Sequence, residues 1–150
     1  MTQSYLQRSR RGSFRGLPQL LHAPYADGEA KFSGQHDDPI VVRADGPVEL
    51  IDTMNLGFPI GLDSDIADFI DHTTIQLASG DGVVLYTDGI TEAENEKGKQ
   101  YGLERLCEVV SQHWLSSAEE VKDAVVADVE RFIGEAEIFD DITLVILKQK

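Results

Sequence analysis

The sequence predicts an α+β domain with a mainly antiparallel sheet and two adjacent helices. Several short strand patterns precede position 88, two amphipathic helical patterns follow position 100, and an apolar strand pattern closes the chain. Strands and helices are thus segregated along the chain, whereas a parallel βαβ sheet needs them to alternate. The 150 residues are enough for one domain with a substantial core.

Five strand patterns come before the helices; they are alternating or continuous apolar segments with turn residues between them. They cover residues 29–34, 39–43, 47–52, 72–78 and 83–87. Asp45-Gly46 separates the second pattern from the third and predicts a hairpin turn between them.

Two helices are predicted over residues 102–115 and 117–133, because apolar residues recur there every three or four positions. Ser117 and Glu120 form a capping-box pattern at the start of the second helix. The stripe expected to face the sheet contains Leu106, Val110, Trp114, Val125, Val129 and Phe132. Cys107 lies on the same stripe and is interpreted as a small core residue.

The closing strand pattern, residues 142–148, is apolar on both of its alternating faces. A strand of that kind is expected in the middle of a sheet, where both faces are buried.

The charge is distributed unevenly along the chain. The formal net charge is −14, yet residues 1–16 contain four arginines and no acidic residue. We interpret residues 1–19 as a basic, mobile N-terminal arm. The acidic remainder argues against nucleic acid as a partner, since phosphates would be repelled.

Other features of the composition concern membrane and compartment. No apolar run approaches the roughly 20 residues that span a bilayer, so no membrane association is expected. A single cysteine cannot form an internal disulfide, which favours a cytoplasmic location.

Three carboxylates occupy informative positions at strand ends. Asp88 follows the apolar strand 83–87 and precedes Gly89, while Asp140 and Asp141 immediately precede the last strand. If these strands are neighbours, the carboxylates converge and need a cation to neutralise them, and hard oxygen ligands favour Mg²⁺ or Mn²⁺. The alternative is that Asp88-Gly89 is an ordinary turn, since Asp and Gly dominate turns. A haloacid-dehalogenase phosphatase is excluded because Tyr86 stands where its nucleophilic aspartate belongs.

Five segments, in order, resemble the bacterial branch of the protein phosphatase 2C family, which includes stage II sporulation and sigma-B regulatory phosphatases. They are FSGQH at 32–36, GFPIGL at 57–62, GDGVVLYTDGITEA at 80–93, YGLERL at 101–106 and DDITLV at 140–145. The resemblance covers residues 20–150 and identifies them as the C-terminal part of such a catalytic domain.

The resemblance implies part of an αββα sandwich with a two-metal Mn²⁺ or Mg²⁺ centre, where a metal-activated water attacks a phosphoserine or phosphothreonine. It implies that Asp88 and Asp140 are metal ligands, that Asp141 is a secondary candidate and that the Gly89 backbone lies beside the metal. The implied substrate is a phosphorylated anti-sigma-factor antagonist.

This sequence departs from the family pattern in its first half. The family has a further aspartate, upstream of the matched segments, that bridges both metals, and residues 1–16 have no acid to supply it. We therefore expect a phosphatase domain that lacks its N-terminal metal-site half. The alternative is a non-catalytic regulatory binding module with the phosphatase fold. Unpaired strand edges in such a domain would favour a homodimer.

Overall fold

The computed structural model describes residues 2–8, 20–22, 28–33, 37–56, 71–136 and 142–150. In these ranges the strands are β1 (Thr2–Arg8), β2 (Leu20–His22), β3 (Glu29–Ser33), β4 (Ile40–Val42), β5 (Val48–Leu50), β6 (His72–Gln76), β7 (Gly82–Tyr86) and β8 (Ile142–Lys148). The helices are α1 (Asp88–Thr91), α2 (Leu103–His113) and α3 (Ala118–Ile133). Of these described helices, none has the length and apolar character that crossing a bilayer requires.

The described strands form two sheets. One has five strands in the order β1-β8-β7-β4-β5, and the other has three in the order β2-β3-β6. Every pairing in both sheets is antiparallel. The predicted α+β class with a mainly antiparallel sheet is confirmed.

Strand β8 lies inside the larger sheet, as its two apolar faces predicted. It pairs with β1 on one side and with β7 on the other. Its residues from Ile142 to Leu147 are all buried. Burial along β8 therefore begins at Ile142, the residue that directly follows Asp141.

Residues 2–8 do not form the mobile arm that the arginine content suggested. They form β1, paired with β8 from Thr2 opposite Lys148 to Arg8 opposite Ile142. Without β1, the N–H and C=O groups along one side of β8 would lack partners, and pairing satisfies them. The short strand β2, which pairs with β3, was also not predicted. Residues 9–19 lie outside the described ranges, so the arm stays a prediction there.

Helices α2 and α3 cover one face of the five-stranded sheet, as predicted. Trp114, Leu106 and Val110 are fully buried in the core between helices and sheet, together with Val125 and Val129. Phe132, also expected there, is only partly buried. Cys107 packs against the same core, and burial raises the pKa of its thiol. It is therefore a core residue.

A second core lies between the two sheets. It consists of Ala30, Phe32, Val41, Leu56, Leu77, Val83, Leu85, Val145 and Leu147. The described chain is thus a stack of three layers, with the helices outside, the five-stranded sheet in the middle and the three-stranded sheet opposite. Alternate residues of β7 and β8 face different cores, which explains why both strands are apolar on both faces.

The predicted local signals are present. Ser117 Oγ accepts a hydrogen bond from the Glu120 amide (3.2 Å), and the Glu120 carboxylate accepts one from the Ser117 amide (2.8 Å), completing the capping box. In the hairpin between β4 and β5, the Gly46 amide donates to the Arg43 carbonyl (2.9 Å). Gly46 has a φ of 103°, which explains why glycine occupies that turn.

Candidate metal centre

The candidate site lies where β7 ends beside the start of β8. The two strands pair from Gly82 opposite Lys148 to Tyr86 opposite Leu144. Beyond the last pair, the Thr87 amide donates to the Thr143 carbonyl (3.2 Å), and the Thr143 amide donates to Thr87 Oγ1 (3.0 Å). The end of β7 and the start of β8 are therefore fixed to one another.

Asp88 stands directly after this connection, at the first position of α1. Its main-chain carbonyl accepts hydrogen bonds from the Glu92 amide (2.7 Å) and the Thr91 hydroxyl (3.3 Å). Its side chain is exposed. Gly89 is buried in the same helix, and its φ is not in the left-handed region. What glycine provides at this position is therefore its lack of a side chain. The sequence placed Asp88 correctly but missed α1, because four residues are too few for a periodic pattern.

The chemistry of Asp88 suits a hard cation. No hydrogen bond or ion pair to another described residue occupies its carboxylate, although it follows a fully buried strand. An exposed carboxylate on a rigid support is the kind of oxygen ligand that Mg²⁺ and Mn²⁺ take in proteins. The donor therefore fits the predicted metal.

Asp140 and Asp141 lie outside the described residues. Their distance from Asp88 therefore stays a prediction, and the chain enters the described sheet again at Ile142. Within the described ranges, no three His, Cys, Asp or Glu side chains gather closely enough to hold a metal ion. Of the three predicted ligands, only Asp88 lies within the described residues.

A second acidic pair, which the sequence analysis did not single out, lies on the other side of β7. Strand β4 is antiparallel to β7, with Ile40 opposite Val84, so β4 also starts near the end of β7. Asp37 and Asp38 come just before it, and Asp38 Oδ1 accepts a hydrogen bond from the Thr53 amide (3.1 Å). Two aspartates before an apolar strand is the same signal that selected Asp140 and Asp141, and it could have found this pair.

These aspartates border a cavity of about 330 Å³, which we call the acidic cavity. Its lining consists of Asp37, Asp38, Thr53, Met54, Tyr86, Thr91 and Leu103. Tyr86 is only 4% exposed. Burial raises the pKa of its phenol, and the charges of Asp37 and Asp38 raise it further, so the phenol keeps its proton.

Comparison with known proteins agrees with the family resemblance. The family model described as stage II sporulation protein E (SpoIIE) matches residues 19–150. Among curated proteins, the phosphoserine phosphatase RsbU of Bacillus subtilis (strain 168) is 31% identical over 102 residues, which are 67% of this chain and 28% of RsbU. The chain thus spans little more than a quarter of that relative.

Solved structures show the same fold. The SiaA-PP2C domain of Pseudomonas aeruginosa superimposes with a TM-score of 0.69 at 22% identity, covering 83% of this chain and 48% of that one. The PP2C phosphatase domain of SpoIIE from Bacillus subtilis, solved with a fragment of its regulatory domain, gives 0.61 at 24% identity, covering 81% and 34%. The predicted PP2C-type architecture is confirmed.

Proposed function

The chain belongs to the stage II sporulation protein E family, and on that basis we propose that it is part of a metal-dependent protein serine/threonine phosphatase, a phosphoric monoester hydrolase. One observation of the structure carries the proposal. The Asp88 carboxylate is exposed and without a partner among the described residues, although it directly follows the buried strand β7. An exposed carboxylate that directly follows a buried strand is suited to binding a hard cation.

The metal ligands in this proposal are Asp88 and Asp140, with Asp141 as a secondary candidate and the Gly89 backbone beside the metal. Mn²⁺ or Mg²⁺ is the expected ion, because all the donors are carboxylate oxygens. When bound, the metal would lower the pKa of a water molecule and neutralise the phosphoryl oxygens of the substrate.

The chain itself would hold these ligands in position. The paired hydrogen bonds between Thr87 and Thr143 keep the end of β7 against the start of β8. We therefore expect the carboxyl groups of Asp88 and Asp140 to approach within one coordination sphere. A crystal structure with Mn²⁺ that placed them more than about 10 Å apart would contradict this arrangement.

The proposed substrate is a phosphorylated anti-sigma-factor antagonist protein in the bacterial cytoplasm, acted on in stress or sporulation signalling. The support is the family membership together with the likeness to a phosphoserine phosphatase. The acidic composition of the chain is consistent with a protein partner rather than nucleic acid.

We further propose that a complete two-metal centre needs a carboxylate beyond Asp88, Asp140 and Asp141. Without it, the attacking water would be positioned and ionised poorly, which should cost several kcal/mol of transition-state stabilisation. The 150-residue chain should therefore hydrolyse a phosphoserine peptide or p-nitrophenyl phosphate weakly or not at all with Mn²⁺. Robust Mn²⁺-dependent turnover that Asp88→Asn abolishes would contradict the need for this further carboxylate.

Metal binding tests the phosphatase proposal separately from turnover. Titration calorimetry with Mn²⁺ should show binding to the wild-type chain and a loss of at least about tenfold in affinity for Asp88→Asn. Asp45→Asn is the matched control, since this exposed aspartate lies in the β4–β5 turn at the other end of β4. Equal Mn²⁺ affinity in all three proteins would refute Asp88 as a ligand.

The second candidate function is a non-catalytic regulatory binding module that retains the phosphatase fold. It is favoured by the lack of any three metal-ligating side chains in contact within the described ranges. Such a module would bind the phosphorylated partner with the same affinity with and without Mn²⁺, whereas the phosphatase proposal expects Mn²⁺ to tighten binding.

A further inference from the structure

We propose that the hydroxyl group of Thr87 is a positioning group for the metal centre, because it lets the chain turn into α1 at Asp88 while β8 stays paired with β7. This inference rests on the proposed function, since it assumes that Asp88 binds a metal together with a carboxylate from the segment before β8. It assigns to Thr87 the control of the spacing between these ligands, with no contact to the metal required.

The register of the sheet brings Thr87 opposite Thr143. Tyr86 is the last residue of β7 and pairs with Leu144, so Thr87 and Thr143 are the next pair along the antiparallel ladder. The two residues of a hydrogen-bonded antiparallel pair normally exchange two bonds between their main-chain groups. One of these is present as a main-chain bond, from the Thr87 amide to the Thr143 carbonyl (3.2 Å).

The second bond of the pair uses the Thr87 side chain. The Thr143 amide donates to Thr87 Oγ1 (3.0 Å). The Thr87 carbonyl, which would accept this bond in a regular ladder, accepts from the Ile90 amide instead (3.0 Å), at the start of α1. The hydroxyl oxygen therefore replaces the carbonyl in the ladder, and the carbonyl is released to begin the helix.

This use of the side chain differs from ordinary helix capping. Thr87 is the N-cap residue of α1, with a φ of −108° and a ψ of 158°. An N-cap threonine usually accepts a hydrogen bond from an amide of its own helix. The Thr87 side chain makes no such capping bond. Its oxygen is directed to the neighbouring strand, so it connects the start of α1 to β8.

The Thr143 amide needs this acceptor. Thr143 is 3% exposed, and a buried N–H group without a partner is costly. Without the hydroxyl, the pair could recover a main-chain acceptor only if the Thr87 carbonyl left the Ile90 amide, which would displace Asp88. Otherwise the start of β8 would have to move away from β7. Either change alters the distance between Asp88 and the Asp-Asp pair that precedes β8.

The positions of the proposed ligands explain why this distance matters. Asp88 directly follows Thr87, and Asp141 precedes Thr143 by two residues. The oxygen ligands of one Mg²⁺ ion lie about 2.0–2.1 Å from it in near-octahedral geometry, so small displacements of the protein ligands weaken binding. Residues that orient metal ligands typically cost 10–100-fold in metal affinity when they are replaced.

The test compares the Mn²⁺ affinities of Thr87→Val and Thr87→Ser by titration calorimetry. Valine keeps the branched shape of threonine but has no oxygen, so the affinity should fall at least about tenfold. Serine keeps the hydroxyl oxygen, so the affinity should stay within about threefold of wild type. Trp114→Phe, near the other end of β7, controls for lost stability and should bind Mn²⁺ as the wild-type chain does. Equal affinity in the wild type and Thr87→Val, or equal losses in the valine and serine variants, would overturn the proposal.

A double-mutant cycle separates positioning from a general structural role. If Thr87 acts by placing Asp88, Thr87→Val should lower the Mn²⁺ affinity at least about tenfold in the wild-type background and less than about twofold in Asp88→Asn. The same loss in both backgrounds would show that Thr87 acts independently of Asp88, and it would overturn the proposal.

Amide hydrogen exchange of the metal-free chain, followed by NMR, distinguishes failure of this inference from failure of the proposed function. Thr87→Val should speed exchange of the Thr143 amide at least about tenfold, while Val145, which also pairs with β7, changes little. Thr87→Ser should restore slow exchange. Absence of Mn²⁺ binding by the wild-type chain would count against the proposed function, whereas unchanged exchange at Thr143 would overturn the positioning role. If Thr87→Val does not fold, Thr87→Ala takes its place in all three measurements.

Discussion

Trp114 connects three parts of the fold, and its removal should be strongly destabilising. Its indole is fully buried at the end of α2, and Nε1 donates to the Gly80 carbonyl (3.0 Å) in the turn before β7. The Lys148 ammonium lies 4.4 Å from the ring centroid, at the end of β8. The side chain thus joins helix α2 to both of the central strands.

The expected magnitude follows from these contacts. Truncating a buried Trp to Ala costs roughly 3–5 kcal/mol through lost burial and the cavity that remains. Losing the indole N–H also removes a hydrogen bond to the Gly80 carbonyl, worth about 1 kcal/mol. Trp114→Ala should therefore lower the free energy of unfolding by roughly 4–6 kcal/mol. Trp114→Phe keeps most of the apolar volume and should cost about 2 kcal/mol.

The assay is urea unfolding followed by far-ultraviolet circular dichroism, since Trp114 is the only tryptophan and its fluorescence is lost in both variants. Leu115→Ala is the matched control, because the neighbouring Leu115 is 88% exposed and should change stability little. A Trp114→Ala variant within about 1 kcal/mol of the wild-type chain would refute the idea that this side chain holds helix and sheet together.

Three further predictions concern packing, pH and association. Gly82→Ala should lower stability by roughly 3 kcal/mol in urea unfolding, because the added methyl would overlap the Leu147 carbonyl and the Trp114 ring. The hydrogen bonds from Arg105 lower the pKa of the Asp128 carboxyl from its ordinary value of 3.8. The ionised carboxylate should therefore contribute its full stabilisation of the fold above pH 3.8 and lose it as the pH falls through the lowered pKa. Asp128→Asn should accordingly approach wild-type stability in acid. Light scattering behind a sizing column should show a homodimer, since the outer strands of both sheets leave backbone groups unpaired among the described residues; a monomer at tens of micromolar would contradict this.

Most of the fold could be predicted because its elements carry strong periodic signals. The apolar helical stripes predicted the bounds of α2 and α3 closely, and the two apolar faces of β8 predicted the bounds of that strand. The missed elements lack such signals. Strand β1 was hidden by its flanking arginines, β2 is only three residues long, and α1 is a single turn. Their structure depends on neighbours that are distant in sequence, such as β8 for β1.

The candidate site was predicted in part for a similar reason. Asp88 was selected because it directly follows an apolar strand, and the condition for its convergence with Asp140, that β7 and β8 are neighbours, is met. Asp37 and Asp38 carry the same local signal, two aspartates before an apolar strand, but their position near the end of β7 follows only from the pairing of β4 with β7. Strand order cannot be read from periodicity, which reports only the face that each residue presents.

The order of these three strands brings the starts of β4 and β8 to the end of β7. Both neighbours are antiparallel to it, so the chain enters β4 and β8 at that same end, and each entry follows an Asp-Asp pair. Tyr86 belongs to the helix-side core, which places the acidic cavity on that side of the sheet. Under the proposed function, loss of the Asp88 charge at the end of β7 should lower the Mn²⁺ affinity, whereas loss of the Asp45 charge at the opposite end of β4 should not.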